Sequence, residues 1–303
     1  MRSHIVVVGS LNVDLVTRLQ HFPAPGETVT AQNFAVHAGG KGANQAYAAA
    51  KLRGQVAMVG CVGADAHGAL LTESLRGVGV DVTGVAQEDG VPTGMALIAL
   101  DASGENTIVV VPGANGRFTV DRLQAAEARL ASAAVVMLQL EIPLATVEAA
   151  ARTARAGGAI VILDPAPAQP LSRELLASVD YITPNQSELQ ALTGRAVGTQ
   201  AEHAARDLAA GSALRVIVKM GDLGALLVER DRQSFWPSLR VEARDATGAG
   251  DAFNAALAVA LAEGRPLAEA GRLAVAAGAL CVTRDGAQPS MPTREEVEAI
   301  LAK

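Results

Sequence analysis

The sequence contains very little cysteine. Only Cys61 and Cys281 occur among its 303 residues, far apart and outside any Cys-x-x-Cys spacing. A disulfide framework or a common zinc site needs more cysteines at closer intervals. The chain is therefore not a small disulfide-stabilised secreted fold, and we expect a reducing compartment.

Long apolar runs and clusters of basic residues are also missing. No apolar run approaches the roughly 18 residues of a membrane span, and the N-terminal segment reaches the polar Asn12 and Asp14 too early for a signal peptide. The net charge is −6 and the pI is about 5.4, which disfavours binding to nucleic acid or anionic membranes. We expect a cytoplasmic protein that binds neither.

Half of the residues are hydrophobic, enough for a large core. Short Val- and Ile-rich runs typical of buried parallel strands begin at Ile5, Val56, Val135, Ala159, Tyr181 and Arg215. Segments with helical spacing lie between such runs, at Ala43 to Arg53, Val120 to Ser132, Ala145 to Arg155 and Ala201 to Ala210. This alternation predicts an α/β fold, a doubly wound and mostly parallel sheet flanked by helices, in a single domain over residues 1–303.

Two stretches, residues 14–37 and 91–111, carry strand patterns without an intervening helix. The second contains "DASGEN", a sequence typical of a hairpin turn. These stretches predict a small β-sheet flap that stands off the main sheet.

Several polar residues follow the apolar runs. Ligands of open α/β sheets bind beyond the carboxyl ends of the strands. The residues at these positions are Asn12, Asp14, Glu141, Asn185 and Glu188. Each alone has a simpler explanation as a turn or cap residue, but their convergence on one edge favours a site.

The segment "RDATGAGDAF" places Asp251 after the small residues Gly248, Ala249 and Gly250 and before a helix-favouring run. Free N–H groups at a helix start can hold an anion, so this turn is a candidate anion site. The simpler alternative is that Asp251 is a helix N-cap.

A second glycine cluster, "HAGGKGANQA", begins at His37. It is not a Walker loop, because Ala35 and Gly42 occupy positions that the motif gives to Gly and Ser or Thr. Neither glycine cluster completes the G-x-G-x-x-G dinucleotide pattern. Either the cluster holds a ligand against the backbone, with Lys41 and Asn44 as donors, or it is only a tight strand-to-helix turn.

A set of motifs resembles one kinase family along nearly the whole chain. In order from residue 9 to residue 292 they are "GSLNVD", "PAPGETV", "GGKGANQA", "QLE", "DPAPA", "TPNQSE", "DATGAGDAFNAAL" and "VTRDGAQPSMP". They resemble the family of sugar and nucleoside kinases that contains ribokinase and adenosine kinase. The resemblance implies an enzyme that uses ATP to phosphorylate the 5-hydroxyl of ribose.

The family resemblance also implies roles for individual residues. Asp251 would be the base that takes the hydroxyl proton, and the N–H groups of Ala249, Gly250 and Asp251, in the turn that begins at Gly248, would hold the developing phosphoryl charge. The residues implied for sugar binding are Asn12, Asp14, Gly40, Lys41, Gly42, Asn44, Glu141 and Asp251. Amides and carboxylates of this kind suit the hydroxyls of a sugar.

Asn185 and Glu188 match the family's N-x-x-E motif and would order the ATP phosphates and the water shell of Mg²⁺. Nucleotide binding is further implied for Lys219, Gly221, Gly224 and Gly250. The chain departs from its relatives in having Lys219 where they often have Thr. It also has apolar residues where they often place Asn or His near adenine.

Two loops resemble the family's site for a monovalent cation, here K⁺. The oxygens would come from Asp245, Thr247, Cys281, Arg284, Gly286 and Ser290. The alternative is an Asp245 that caps a turn beside an ordinary surface loop. The flap resembles the family's lid, which implies a homodimer through the lid.

Other functions stay open at this point. A kinase of the same family could act on deoxyribose, another sugar or a nucleoside. A non-catalytic sugar-binding or regulatory protein could share the fold, since fold alone does not decide function. The presence of Asp251, Asn185 and Glu188 favours an enzyme.

Overall fold

The computed structural model describes residues 4–196, 200–230 and 232–302. Its strands are β1 (His4–Val8), β2 (Asn12–Arg18), β3 (Asn33–Gly39), β4 (Gln55–Gly63), β5 (Asp81–Glu88), β6 (Gly94–Leu100), β7 (Asn106–Val111), β8 (Val135–Leu138), β9 (Ile160–Leu163), β10 (Tyr181–Ile182), β11 (Arg215–Lys219), β12 (Gly224–Glu229) and β13 (Arg232–Pro237). Its α-helices are α1 (Lys41–Lys51), α2 (Ala66–Gly77), α3 (Val120–Leu123), α4 (Glu127–Ser132), α5 (Leu144–Ala156), α6 (Arg173–Ala177), α7 (Gln186–Thr193), α8 (Ala201–Ala209), α9 (Ala249–Ala262), α10 (Leu267–Cys281) and α11 (Arg294–Leu301).

The main sheet has nine strands in the order β13-β12-β11-β10-β9-β8-β1-β4-β5. Neighbouring strands are parallel from β5 to β11, and only β12 and β13 at one edge pair in antiparallel fashion. The predicted doubly wound, mostly parallel sheet is therefore confirmed. All six predicted strands are present.

The apolar runs of the sequence arise because helices cover both faces of this sheet. Ile5 and Val7 of β1 belong to one hydrophobic cluster, with α1, α9 and α10. Val6 and Val8 point to the opposite cluster, with α5 and α8. A strand buried on both faces has no polar side to alternate with, so it forms a continuous apolar run.

The flap is a second sheet of four strands in the order β3-β2-β6-β7, and its prediction is confirmed. Its strands begin and end slightly outside the predicted range, because β2 starts at Asn12 and β3 runs on to Gly39. β6 and β7 form the predicted hairpin. Only residues 9–11 separate β1 from β2, so the second sheet begins at the carboxyl edge of the first.

One predicted helix is interrupted. Val120 to Ser132 forms α3 and α4 with a 3₁₀ turn, Gln124–Ala126, between them. The N–H of Glu127 donates to the carbonyl of Gln124, three residues back, which tightens the backbone at this point. The predicted continuous helix was wrong here, although Leu123, Ala126 and Leu130 still face the core.

Close packing between α10 and β13 generates a stability prediction. A Cβ added at Gly271 would overlap the indole ring of Trp236, which is itself buried. We expect Gly271→Ala to lower the free energy of unfolding by about 1–3 kcal/mol, the usual cost of overfilling a packed core. Denaturant unfolding measures it.

Gly77→Ala is the matched control, since it makes the same change in another helix where, apart from the neighbouring backbone of that helix, no atom of the described residues lies within 4 Å of the added carbon. That variant should unfold at the wild-type denaturant concentration or slightly above it, because Ala favours helices by roughly 0.5–1 kcal/mol over Gly. Equal midpoints for Gly271→Ala and the wild type would contradict the packing argument.

Candidate active site

The site lies at the carboxyl end of β1, where the strand order reverses. β1 sits between β8 and β4, and the chain proceeds outward from it on both sides. Such a switch point leaves a crevice between the loops that follow neighbouring strands. The segments after β1, β3 and β8 supply Ser10, Lys41 and Glu141 to this crevice.

These three segments are joined through the Glu141 carboxylate. Its Oε2 accepts a hydrogen bond from Ser10 Oγ at 2.6 Å and another from the Lys41 N–H at 3.1 Å. The N–H of Gly42 donates to Ser10 Oγ at 3.3 Å. Ser10 was not predicted as a site residue, although it follows the first strand as Asn12 does.

The glycine cluster is the tight turn between β3 and α1, and it packs directly on the backbone after β1. Gly40 has φ +87°, and a Cβ there would lie 2.6 Å from the Asn12 nitrogen. A Cβ on Gly42 would lie 2.7 Å from the backbone of Gly9. Only glycine fits at either position, so the cluster is a tight strand-to-helix turn, and this turn brings Lys41 and Asn44 to the crevice.

Asn12 is buried, and its side chain is held by a residue distant in sequence. Asn115 donates its amide to Asn12 Oδ1 at 2.7 Å and to the Leu11 carbonyl at 3.0 Å. Asn115 was also missed, because no local pattern links it to β2. The pair fixes the start of the second sheet relative to the crevice.

Carboxylates accumulate around the single ammonium of Lys41. Burial, followed by the charges of Glu141 and Asp251, raises the pKa of Asp14 to about 7. Burial alone would lower the pKa of Lys41, but the charges of Asp251, Asp164 and Glu141 outweigh it and raise the pKa. Lys41 therefore stays charged and offsets part of the repulsion among its neighbours.

Asp251 lies in the first turn of α9 and is not its N-cap. The cap position belongs to Gly248, a left-handed residue at φ +79°, so the capping alternative is wrong. Asp251 is 6% exposed, and it accepts hydrogen bonds from Asn44 Nδ2 at 3.1 Å and Gln45 Nε2 at 3.0 Å. Burial raises its pKa to about 6 despite the opposing effect of Lys41.

A cavity of about 750 Å³ opens on the other side of the α9 N-terminus. The residues predicted to bind nucleotide meet at its wall, namely Lys219, Gly221, Gly224 and Gly250. Much of the rest of the wall is apolar and includes Val241, Phe253 and Val275. Walls of this kind are typical of small-molecule sites. The structure thus brings this predicted set together beside Asp251.

Asn185 and Glu188 form a capping box at the start of α7. Asn185 Oδ1 accepts from the Glu188 N–H at 2.8 Å, and the Glu188 carboxylate accepts from the Asn185 N–H at 2.7 Å. Asn185 also forms a β-bridge with Lys219, which lines the 750 Å³ cavity. The N-x-x-E spacing therefore has a structural role beside any functional one.

The two loops predicted to hold K⁺ are in contact. Asp245 accepts from the Thr247 N–H at 2.9 Å and, across the gap, from the Gly286 N–H at 2.8 Å. Cys281 Sγ lies 3.0 Å from Ser290 Oγ and 3.6 Å from the Thr247 carbonyl.

Other features of these loops are structural. The Arg284 side chain pairs with Glu296 at 2.6 Å, which leaves only its carbonyl for a cation. Burial raises the pKa of the Cys281 thiol to about 11. Within the described part of the chain, no three His, Cys, Asp or Glu side chains are grouped so that they could hold a metal ion.

Three further buried residues of the site were missed: Gln45, Gln139 and Asp164. Asp164 accepts from Gln45 Nε2 at 3.0 Å and pairs with Lys219 Nζ at 2.8 Å. Gln139 Nε2 donates to Gln45 Oε1 at 2.6 Å. Asp164 directly follows β9, so the strand-end rule that found Glu141 applies to it equally.

The raised pKa of Asp14 leads to a prediction about stability. The folded state holds this proton more tightly than the unfolded state, so the contribution of Asp14 to stability is present below about pH 4 and is lost as the pH rises to about 7. We expect Asp14→Asn to be more stable than the wild type at pH 8, by on the order of 1 kcal/mol, because the amide is uncharged. At pH 4 the two should be nearly equal.

Denaturant unfolding at pH 4, 6 and 8 measures this difference. Asp89→Asn, at an exposed position, is the control and should show no gain that depends on pH. An Asp14→Asn variant whose advantage does not grow between pH 4 and pH 8 would contradict the burial of this charge.

Comparison with known proteins reveals close relatives over the full length. Residues 2–294 match the model of the pfkB family carbohydrate kinases. The chain is 40% identical to a ribokinase of Haemophilus influenzae over 303 residues, covering 99% of both chains, and 37% identical to a deoxyribokinase of Salmonella typhi over 302 residues, covering 98% of both.

A solved structure, Arabidopsis thaliana ribokinase complexed with ribose and ATP, superimposes with a TM-score of 0.94 at 37% identity and 100% coverage of both chains. No helix within the described residues is long and apolar enough to cross a membrane. Sequence motifs, topology and relatives agree: the chain belongs to the pfkB family of carbohydrate kinases.

Proposed function

We propose that the chain transfers the γ-phosphoryl group of ATP to the 5-hydroxyl of D-ribose, giving ribose 5-phosphate and ADP. The observation that carries the proposal is the position of Asp251. It is buried in the first turn of α9, where it accepts a hydrogen bond from Asn44 of the polar crevice and directly follows Gly250, which lines the 750 Å³ cavity. A base between two substrate sites is what direct phosphoryl transfer requires.

In this proposal the crevice binds the sugar. Its carboxylates and amides match the paired donors and acceptors of a polyol. Asn44 Oδ1 is buried and has no hydrogen-bond partner among the residues that the structure describes, so it could accept from a hydroxyl. The proposed sugar contacts are Asn12, Asp14, Gly40, Lys41, Gly42, Asn44 and Glu141.

Asp251 would take the proton of the attacking hydroxyl, and the free N–H groups at the start of α9 would stabilise charge on the transferred group. The positive end of the helix suits an anion there. A Cβ added at Gly250 would lie 3.2 Å from Lys219 Nζ. Because glycine has no side chain, the Lys219 ammonium can approach these N–H groups. Lys219 would add a positive charge at the same phosphates.

The cavity would hold ATP, with the apolar wall around adenine and with Lys219, Gly221, Gly224 and Gly250 near the phosphates. Asn185 and Glu188 would order Mg²⁺ and its water shell, since amide and carboxylate oxygens suit this ion and the charge of Glu188 acts on Lys41. When bound with ATP, Mg²⁺ would neutralise phosphate charge. Whatever the details of ATP and Mg²⁺ binding, membership of the pfkB family makes the chain a carbohydrate kinase.

The four-stranded sheet would close over the sugar as a lid and pair with a second subunit. Its side chains Phe34, Leu97, Ile108, Val109 and Val110 are exposed, an apolar surface unusual for an isolated chain. Burial of this surface in a homodimer would also cover the strand edges. Light scattering that gives a monomer mass at micromolar concentration would contradict this part of the proposal.

A kinase for deoxyribose is the second candidate, because the deoxyribokinase relative is nearly as similar as the ribokinase. The Asp14 carboxylate favours a substrate with vicinal hydroxyls, which ribose has and 2-deoxyribose lacks on carbons 2 and 3. Substrate preference therefore separates the two.

A coupled assay of ADP release, with Mg²⁺ and K⁺ present, tests the function across ribose, 2-deoxyribose, fructose and adenosine. We expect ribose to have the highest kcat/KM. Asp251→Asn should lower kcat by about 10²- to 10⁴-fold with an unchanged circular dichroism spectrum, because the amide cannot take a proton. For the wild type, kcat should fall below about pH 6, where Asp251 becomes protonated.

Preference for 2-deoxyribose would support the second candidate instead. ADP release with none of the four substrates would favour a non-catalytic protein. An Asp251→Asn variant with the wild-type kcat would remove Asp251 as the base.

We also propose that K⁺ binds between the two loops that Asp245 joins. The oxygens would be the Asp245 carboxylate, Ser290 and the carbonyls of Thr247, Cys281, Arg284 and Gly286, a set that suits a large, weakly hydrated cation. K⁺ would fix the turn before α9 and thereby aim its N–H groups. We expect a higher kcat in KCl than in NaCl at equal ionic strength, and loss of this difference in Asp245→Ala.

Identical rates in NaCl, KCl and CsCl would contradict the K⁺ proposal. So would an Asp245→Ala variant that K⁺ activates as strongly as the wild type. Asp222→Ala, on the other side of the nucleotide cavity, serves as a control for the loss of a carboxylate near the site.

A further inference from the structure

Gln45 connects the two substrate sites through the interior. Its Nε2 donates to Asp251 Oδ1 and to Asp164 Oδ2, each at 3.0 Å. Asp164 in turn pairs with Lys219, which lines the nucleotide cavity. Gln45 is 1% exposed and Asp164 2%, so this chain of contacts runs out of reach of water.

The orientation of the Gln45 amide is fixed from both ends. Both Nε2 protons go to carboxylates, which only accept hydrogen bonds, and Oε1 accepts from Gln139 Nε2 at 2.6 Å. A flipped amide would set Oε1 against two carboxylates and the Gln45 NH₂ against the Gln139 NH₂. One arrangement is therefore strongly favoured, and it holds the Asp251 carboxylate in one orientation.

We propose that Gln45 is a positioning residue for phosphoryl transfer, which orients Asp251 and, through Asp164, ties it to Lys219 at the nucleotide cavity. This inference rests on the proposed function of Asp251 as the base. A buried, fully paired amide is often only part of a core. Here, however, one Nε2 proton of Gln45 goes to Asp251 at the proposed sugar site. The other goes to Asp164, which pairs with Lys219 at the nucleotide cavity.

The energetic effect follows from the contacts. Two like charges approach each other in a buried region, and the amide between them donates to both, which lowers the repulsion that each ionised carboxylate meets. Without it, Asp251 would face Asp164 directly and would hold its proton to higher pH. The hydrogen bond from Gln45 indeed acts to lower the pKa of Asp251.

Two variants test the role. Gln45→Met keeps much of the volume and removes both donated bonds, and Gln45→Glu keeps the shape but donates at most one proton. We expect kcat to fall by about 10- to 100-fold in both, the usual result of a misplaced reacting group. KM for the sugar should stay within about threefold of the wild-type value, because Gln45 does not contact the sugar in the proposal.

The pH profile separates positioning from a merely structural role. In both variants the acid side of the kcat profile should move to higher pH by about one unit, since the ionised form of Asp251 has lost a hydrogen bond. The other ionisable groups that act on Asp251 are Lys41, Asp164, Asp14 and Cys281. Gln45→Met changes none of them and adds no ionisable group, so its shift reports the loss of the Gln45 amide. Gln45→Glu adds a carboxyl group beside Asp251, so its profile is compared with that of Gln45→Met.

Thr146→Val is the matched control. It removes a buried hydrogen bond of 2.7 Å to the Phe118 carbonyl on the opposite face of the main sheet. It should lower stability as the Gln45 variants do, yet leave kcat and its pH profile near the wild-type values. Unfolding temperatures of all variants are measured in parallel.

The outcomes are distinct. If the wild type is active but both Gln45 variants keep kcat within about twofold and show no shift of the pH profile, the positioning role is overturned while the proposed function stands. The comparison uses whichever sugar the wild type phosphorylates, so a preference for deoxyribose does not affect it. A wild type inactive with every substrate overturns both proposals.

Discussion

The burial of several carboxylates around one ammonium is the constraint on which the rest of the site depends. Glu141, Asp164 and Asp251 all act on Lys41, and Glu141 and Asp251 also act on Asp14. These four carboxylates come from four different segments of the chain. Charges so placed repel one another strongly in a buried region unless positive charge and hydrogen-bond donors offset them. The fold therefore has to bring Lys41, and the amides of Asn44 and Gln45, to this point.

The route by which it does so is the glycine turn before α1. Gly40 and Gly42 let the start of this helix approach the backbone after β1. Lys41, Asn44 and Gln45 stand at positions i, i+3 and i+4 of α1 and so lie on one face of its first turn and a half. A side chain at either glycine would push α1 away from the sheet. Glu141, Asp164 and Asp251 would then lose hydrogen bonds together, because each accepts one from a residue of α1.

Much of this arrangement was readable from the sequence, for reasons that differ between residues. The strands of the main sheet were predicted because burial on both faces leaves uninterrupted apolar runs, as in residues 5–8. Asn12, Glu141 and Asn185 were found because parallel strands end at one edge. Gln139 and Asp164, the first residues after β8 and β9, obey the same rule and were overlooked. Asn115, in contrast, depends on a tertiary contact across 103 positions of the chain, which no local pattern records.

Helix α9 joins the chemistry to the hydrophobic core. Asp251 stands in its first turn, and the buried residues that follow, from Ala252 to Ala260, pack against α1 and α10 without a break. A helix so enclosed has little freedom to tilt or slide, which keeps its first N–H groups aimed at one place. The first turn of α9, with Asp251, should therefore not unfold separately from the core. Heating should abolish activity and core packing in one transition, with no inactive but still folded form between them.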